Sequence, residues 1–355
     1  MSAPLTISEG PVISVVVPAR DEEMSLAACL QSLVSQQGVA FEVIVVDDGS
    51  TDQTREIASS FDGVRIIAAG TLPSGWTGKN NAMAVGASQA RGEWLLFTDA
   101  DTVHLPGSLT GSLREARERG VALLSYSPRQ EVRGFREKAV MPVIFAELAM
   151  TYRPSKVSDP ASPIAAANGQ YLLVRRDAYQ AVGGHAAVAS SLLEDVALAR
   201  LVKSSGRRIF FRYGGDAVQT RMYRSFSQLC EGWSKNLALL FANPAQLAAR
   251  RLGEFLWITG SAIAAIFALA FDAVEIAAVL LALGAIVYGL FLRRIRKAHF
   301  AWDSSLLALL GLPLFSYLLL RSKISYLRGA VSWKGRTYSS ATRRAEESAH
   351  IAKVA

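Results

Sequence analysis

Cysteine is nearly absent. Cys29 and Cys230 are the only two in 355 residues. They can form neither a disulfide framework nor a four-ligand zinc site. Charge is sparse as well, at 19% of residues, below the usual share of about a quarter. With 51% apolar residues, this excludes a disordered chain, a coiled coil and a collagen-like repeat. No internal repeat or low-complexity tract is present. The first eleven residues carry neither an apolar run nor a basic cluster. A signal peptide is therefore not expected, and the first domain is expected to fold in the cytosol.

What the chain does have is an uneven charge. Residues 1–249 hold 24 basic and 24 acidic residues; residues 250–355 hold 14 and 6, which is the whole net excess of +8. A pI of 9.6 could point to nucleic acid. Here the basic residues bracket the longest apolar runs, which fits a membrane surface better, and no nucleic-acid partner is expected.

From Ile13 onward, β-branched runs at 13–17, 43–46, 64–67, 94–98, 121–126, 171–174 and 208–212 alternate with helical patterns at 25–36, 51–60, 79–90 and 106–119. That alternation predicts βαβ crossovers and a mainly parallel sheet with helices on both faces. Segments 255–271 and 304–320 are uncharged, and 273–292 carries only Glu275. Spanning hydrocarbon takes roughly 17–25 apolar residues. The first two segments predict a membrane hairpin joined at Asp272. Gly311-Leu312-Pro313 interrupts the third, which either spans or is re-entrant. Arg250 and Arg251 precede the hairpin, and Arg293, Arg294, Arg296 and Lys297 follow it. Positive residues stay inside, so the N-terminal domain is expected in the cytoplasm and the chain in the inner membrane as a multi-pass protein. A spanning third segment would instead place Arg321, Lys323, Arg328, Lys334, Arg336, Arg343, Arg344 and Lys353 outside. The plain alternative for all three segments is buried helices of a large soluble protein. The domains expected are 1–225 (catalytic), 226–250 (interfacial amphipathic helices), 251–320 (transmembrane) and 321–355 (a basic tail).

Ligands of open α/β sheets bind beyond the carboxyl ends of the strands. The first strand ends in Pro18-Ala19-Arg20-Asp21-Glu22-Glu23 and the second in Asp47-Asp48-Gly49-Ser50-Thr51-Asp52. Ser50 to Asp52 read as a helix cap. Asp47 and Asp48 do not, and need a cation, a ligand or backbone donors. The fourth strand runs into Asp99-Ala100-Asp101. On an extended chain both carboxylates face one side, a hard-oxygen set suited to Mg2+ or Mn2+ with substrate phosphates completing the octahedron. Gly75-Trp76-Thr77-Gly78-Lys79 precedes a helix, where Lys79 can meet phosphate or simply be solvated. Glu194-Asp195 either complements a helix dipole or supplies a general base. His185 is expected in a loop.

These motifs, in the order VVVPARDEE, VDDGSTD, GWTGKNNA, FTDADT, NGQYLLVRRDAY, GGH and LEDVALA over about residues 12–240, resemble the family 2 glycosyltransferases of the GT-A fold. The apolar segments and Trp333-Lys334-Gly335-Arg336-Thr337-Tyr338 extend the likeness to membrane-bound members associated with carotenoids and hopanoids, and more distantly to ceramide glucosyltransferase. The resemblance implies a Rossmann-like GT-A sheet followed by C-terminal transmembrane helices. It also implies an inverting, metal-dependent transfer from a nucleotide-sugar, with a UDP-hexose as the expected donor. Pro18, Ala19, Asp21 or Glu22, and Asp48 would line the nucleoside pocket. Lys79 and Asp99 would join the donor site, and Asp101 with Asp99 would bind the metal. Asp195 would match the base; Glu194, His185, Gln170 and Trp233 fall on the acceptor side. The processive Gln-x-x-Arg-Trp motif is not kept: Gln228-Leu229-Cys230-Glu231-Gly232-Trp233 has Gly232 for Arg. This weighs against a polysaccharide synthase. Two apolar stretches, 140–150 and 226–241, are either core packing or interfacial amphipathic helices; the second reading suggests a lipid acceptor, isoprenoid-derived in that subgroup. A tethered nucleotide-sugar binder without catalysis, a synthase-like transferase and a nucleotidylyltransferase are the alternatives.

Overall fold

The computed structural model describes residues 10–329 and the strands Val331–Trp333 and Arg336–Tyr338. Lys334, Arg343, Arg344 and Lys353 lie outside the described residues. The chain divides into two compact units. The first holds Met1–Glu131 and Pro154–Met222, the second Val132–Arg153 and Tyr223–Ala355.

In the first unit the strands are β1 (Ile13–Ala19), β2 (Phe41–Asp47), β3 (Val64–Ala68), β4 (Trp94–Phe97), β5 (Thr102–His104), β6 (Leu123–Ser127), β7 (Arg129–Gln130), β8 (Leu172–Arg175), β9 (Ile209–Tyr213) and β10 (Val218–Thr220). A seven-stranded sheet runs β3-β2-β1-β4-β8-β6-β9, and a small one runs β5-β10-β7. Only β8 is antiparallel within the large sheet. Every strand expected from the β-branched runs is one of these seven. Ile13, Val15, Val17, Val43, Val45, Leu96, Leu124 and Leu173 are buried in one core, as sheet strands covered by helices require. Chain order reverses between β1 and β4, the point where such sheets open a crevice. The Gly78–Gln89 helix lies directly on this crossing, since a Cβ at Gly86 would collide with Val16.

The second unit is helical: Phe135–Thr151, Phe226–Leu240, Pro244–Ala270, Val274–Ile295 and Trp302–Leu327. The last three are long and apolar enough to cross a membrane. Several expectations shift here. The stretch 140–150, expected inside the catalytic domain, belongs to this unit, and the boundary expected at 225 falls at Met222. Residues 244–250, expected as interfacial, are the first turns of the Pro244–Ala270 helix. The hairpin turn falls at Asp272, which takes a left-handed φ of 56°. Gly311-Leu312-Pro313 does not break the third segment, because Pro313 sits inside a continuous helix. A proline deletes a single N–H, and Gly311 lets this helix press onto the Ala139 carbonyl, which a side chain would block.

Four charges, Glu147 buried and three partly so, tie this unit together. The Glu147 carboxylate lies 3.0 Å from Arg251 Nε and 3.1 Å from Arg294 Nε. Glu254 lies 3.2 Å from Arg251 Nη1 and 2.6 Å from Arg294 Nη2. The quartet is neutral and joins the Phe135–Thr151 helix to the base of the hairpin.

Candidate active site

The carboxyl ends of β2, β1 and β4 lie side by side, with Ala19 opposite Asp47 and Val16 opposite Phe97. Because β8 is antiparallel, its first residue, Leu172, stands opposite Phe97. This brings Gly169 and Gln170 to the same edge.

Beyond β1 and β2 the acidic residues organise backbone. Asp47 Oδ1 accepts from Ser50 N at 3.0 Å and Asp21 Oδ1 from Thr51 N at 2.8 Å. Glu22 N donates to Thr54 Oγ1 at 2.7 Å. The helix expected from residue 51 therefore starts at Thr54, capped by Gln53 without a side-chain bond. Asp48 is buried. Its N–H donates to the Ala19 carbonyl, and Arg20 Nη1 donates to the Asp48 carbonyl at 3.0 Å. Pro18, Ala19, Asp21, Glu22 and Asp48 thus share one rim.

The segment after β4 is a turn, not extended chain: Thr102 N donates to the Asp99 carbonyl at 3.2 Å. The alternation argument for Asp99 and Asp101 therefore fails, and the turn itself brings them near each other. The charges of Asp101, Glu22 and Asp99 all reach the Cys29 thiol; burial first, then these charges, push its pKa up.

Lys79 stands at the centre. Thr77 caps its helix by accepting from Asn80 N. The Lys79 ammonium lies 2.7 Å from Asp99 Oδ1 and 2.8 Å from Glu194 Oε1. These two carboxylates hold its pKa well above normal, against the opposing effect of burial. Asp195, next to Glu194, accepts from Gly169 N at 2.8 Å and from Val196 N at 2.7 Å. Burial first, and the Glu194 charge second, raise Asp195 to about 7, while Lys79 pulls the other way. A Cβ on Gly169 would stand 3.1 Å from Lys79 Nζ, 3.4 Å from Glu194 Oε1 and 3.6 Å from Asp195 Oδ2. One bare Cα thus faces all three.

The donor set suits a cation only in part. Asp99 and Asp101 offer hard oxygens, and among the described residues no three His, Cys, Asp or Glu gather at one point. Two carboxylates leave the remaining octahedral positions to phosphate oxygens and water, the habit of Mg2+ at phosphate sites.

The family model described as Glycosyl transferase family 2 matches residues 14–183. This is a family 2 glycosyltransferase domain. The 4,4'-diaponeurosporenoate glycosyltransferases of Staphylococcus aureus strains USA300 and MRSA252 are each 29% identical over 236 residues, 64% of this chain and 60% of theirs. The chain therefore matches 60% of the length of these curated relatives. Among solved structures, the mannosyltransferase PcManGT from Pyrobaculum calidifontis, in complex with GDP-Man and Mn2+, superposes with a TM-score of 0.51. It is 17% identical, and the match covers 90% of this chain and 87% of that one. The fold is the GT-A type.

Within the glycosyltransferase domain the residues assigned to the acceptor side fare differently. Glu194 is buried against Lys79. His185, expected in a loop, is 1% exposed in the short 3-10 helix Gly184–Val188. Its Nδ1 takes the Tyr179 hydroxyl at 2.9 Å, and burial lowers its pKa to about 3. It is a core residue. Gln170 is buried too, and its amide donates to Thr220 Oγ1 at 3.2 Å. Trp233 belongs to the other unit, where it is buried with Nε1 on Met141 Sδ. It is therefore not an exposed interfacial anchor.

Sequence reasoning missed what brackets the Asp99–Asp101 turn. The Thr220 hydroxyl donates to the Asp101 carbonyl at 3.1 Å. The Thr98 hydroxyl donates to the Gln170 carbonyl at 2.8 Å. His104 Nε2 must then donate to Thr98 Oγ1, 3.1 Å away, and burial keeps this ring neutral with a pKa near 3. Gln170 answers to both threonines. A Thr or Gln in a β-run carries no mark of such a role; the Asn-Gly-Gln motif was the one available signal.

Proposed function

We propose that the chain transfers a hexose from a nucleotide-sugar to a membrane lipid acceptor, with inversion. The observation that carries this reading is the convergence of Lys79, Glu194 and Asp195 on Gly169, with Asp99 paired to the same lysine, at the switch point of a family 2 domain. A carboxylate lifted to about 7 is matched to proton transfer near neutral pH. Asp195 is the base: it takes the acceptor proton as the acceptor oxygen attacks the anomeric carbon and the nucleoside diphosphate departs. Pro18, Ala19, Asp21, Glu22 and Asp48 form the nucleoside rim. Asp101 and Asp99 would hold a divalent cation, which when bound offsets the charge of the leaving diphosphate. Lys79 then adds a second positive group on the same side. The solved relative's GDP-Man and Mn2+ support a nucleotide-sugar and a cation of this kind.

The lipid acceptor is supported by the exposed apolar hairpin in the same chain and by the carotenoid-type substrate named for the Staphylococcus relatives. An isoprenoid-derived acid or alcohol is the acceptor class. The basic flanks favour a catalytic unit on the cytoplasmic side of the inner membrane. The test is incubation of membranes bearing the full chain with labelled UDP- and GDP-sugars, followed by lipid extraction. Label is expected in the lipid phase, with UDP or GDP released. Asp195→Asn should keep donor binding and lose turnover. Turnover retained in that variant eliminates the base, and label confined to soluble sugars eliminates the lipid acceptor.

A further inference from the structure

Three helices of the second unit are long enough to cross a membrane, yet they present their apolar surface in two different ways. In Pro244–Ala270, Trp257 and Ile266 are 55% and 66% exposed. Nine residues apart, they point to opposite sides of a helix. In Val274–Ile295 the same holds for Leu281 and Leu290, 50% and 60% exposed. These two helices meet each other closely, Gly284 receiving Ser261, and leave much of their apolar surface open. Trp302–Leu327 differs. Its exposed large residues Trp302, Leu306, Leu310, Tyr317, Leu320, Ile324 and Leu327 follow at steps of three, four or seven. At 100° per residue they fill a stripe about 100° wide. Its opposite face, with Ala308, Leu312, Phe315 and Leu319, is buried.

The partners of that buried face fix its level. Asp303 pairs with Lys138 at 2.7 Å, and Gly311 abuts Ala139. Ser322 Oγ donates to the Ser234 carbonyl at 2.6 Å, and Tyr326 to the Lys235 carbonyl at 2.7 Å. Trp302–Leu327 also packs closely on Pro244–Ala270, where the Ser316 hydroxyl donates to the Ala248 carbonyl at 3.0 Å. Contact with Val274–Ile295 is sparse. The helices being gripped, Phe135–Thr151 and Phe226–Leu240, are not long enough to be candidate spans. The Glu147–Arg251–Glu254–Arg294 quartet holds the first of them at the base of the hairpin, where Arg251 and Glu254 precede the outgoing apolar run and Arg294 follows the returning one.

We propose that Trp302–Leu327 lies in the plane of the membrane interface at the base of a two-helix hairpin and does not cross, its apolar stripe seated in the bilayer. This rests on the membrane reading above. Both ends of the helix, Asp303 at one and Ser322 with Tyr326 at the other, are tied to helices that are not candidate spans. A crossing helix would instead carry the tether at one end to the far side of the hydrocarbon. The arrangement also removes a conflict of charge: Arg321, Lys323 and Arg328 stay on the side of Arg250, Arg293 and Arg296, as the positive-inside rule requires, and meet anionic headgroups.

The test uses the full chain with Cys29 and Cys230, both buried, replaced by Ala, and a single cysteine introduced as Glu275→Cys at the hairpin tip or Arg328→Cys at the helix end. A membrane-impermeant maleimide is applied to spheroplasts before and after opening, with labelling in detergent as full scale. Glu275→Cys is expected to react in sealed spheroplasts and Arg328→Cys only after opening, each by at least about tenfold over the other compartment. Arg328→Cys reacting in sealed spheroplasts overturns the in-plane assignment while leaving the hairpin standing. Glu275→Cys silent until opening overturns the membrane crossing itself.

Discussion

Lys79→Gln separates the electrostatic role of this lysine from any contact it makes with diphosphate. A carboxylate base works ionised, so the rate falls as pH drops through its pKa, about 7 for Asp195. Lys79 favours the ionised form. Removing it raises that pKa, and the acidic limb of kcat/KM moves to higher pH. Losing the partner of Glu194 acts in the same direction. The size follows from Gly169: one point there lies 3.1 Å from Lys79 Nζ and 3.6 Å from Asp195 Oδ2, so the charges are at most about 7 Å apart. At an effective dielectric of about 20 this is worth roughly 2.4 kcal/mol, between one and two pKa units. The Lys79 side chain is 34% exposed, and solvent reduces the effect to about one unit. The assay is kcat/KM for donor turnover from about pH 5.5 to 9. A lost diphosphate contact lowers the height of the profile but not the position of its limb. A limb that stays put, or moves to lower pH, refutes the argument.

Other consequences are as direct. Thr220→Val leaves the Gln170 amide and the Asp101 carbonyl without their shared hydroxyl. The affinity of UDP with Mn2+, read by calorimetry on the detergent-purified chain, should fall about tenfold, while Thr220→Ser should restore it. Gly169→Ala has an ordinary backbone, but its methyl stands 3.1 Å from Lys79 Nζ; kcat should drop roughly tenfold to a hundredfold with an unchanged melting temperature. Glu147→Ala leaves Arg251 and Arg294 sharing Glu254 in a buried setting. It should cost about 3–5 kcal/mol, seen as a lower thermal midpoint in detergent, with Glu147→Gln falling between.

The seven sheet strands were legible because strands buried on both faces are written as β-branched runs. Their neighbours were not: no periodicity says that β8 inserts antiparallel between β4 and β6, and that insertion is what delivers Gly169 to Asp195. The helix starts were misplaced because Asp47 and Asp52 spend their carboxylates on turn N–H groups, bonds that residue type alone does not distinguish from caps. The stretch 140–150 reads as apolar whether it fills an enzyme core or a membrane-facing layer. Its one discordant residue, the buried Glu147, was the clue. Pro313 resembled a break because a proline usually ends a helix, but Phe135–Thr151 tolerates Pro142 in the same way. His185 and Gln170, placed on the acceptor side by the resemblance, make their side-chain hydrogen bonds inside the core.

The two charged clusters show why one is a site and the other a clamp. Glu147 and Glu254 face Arg251 and Arg294, two against two, with 3.2 Å or less between partners. Nothing is left over to attract a ligand, and any ion entering would have to displace a partner. Around Gly169, Lys79 meets Glu194 and Asp195 while it also holds Asp99, with Asp101 on the adjoining turn. Burial first and the Glu194 charge second raise Asp195 there, against the pull of Lys79. A cation arriving with a diphosphate would bind on the Asp99 and Asp101 side, while Lys79 keeps Glu194 and the base in place. The clamp is closed on itself, whereas the cluster at Gly169 keeps a carboxylate whose proton affinity lies where the proposed transfer would need it.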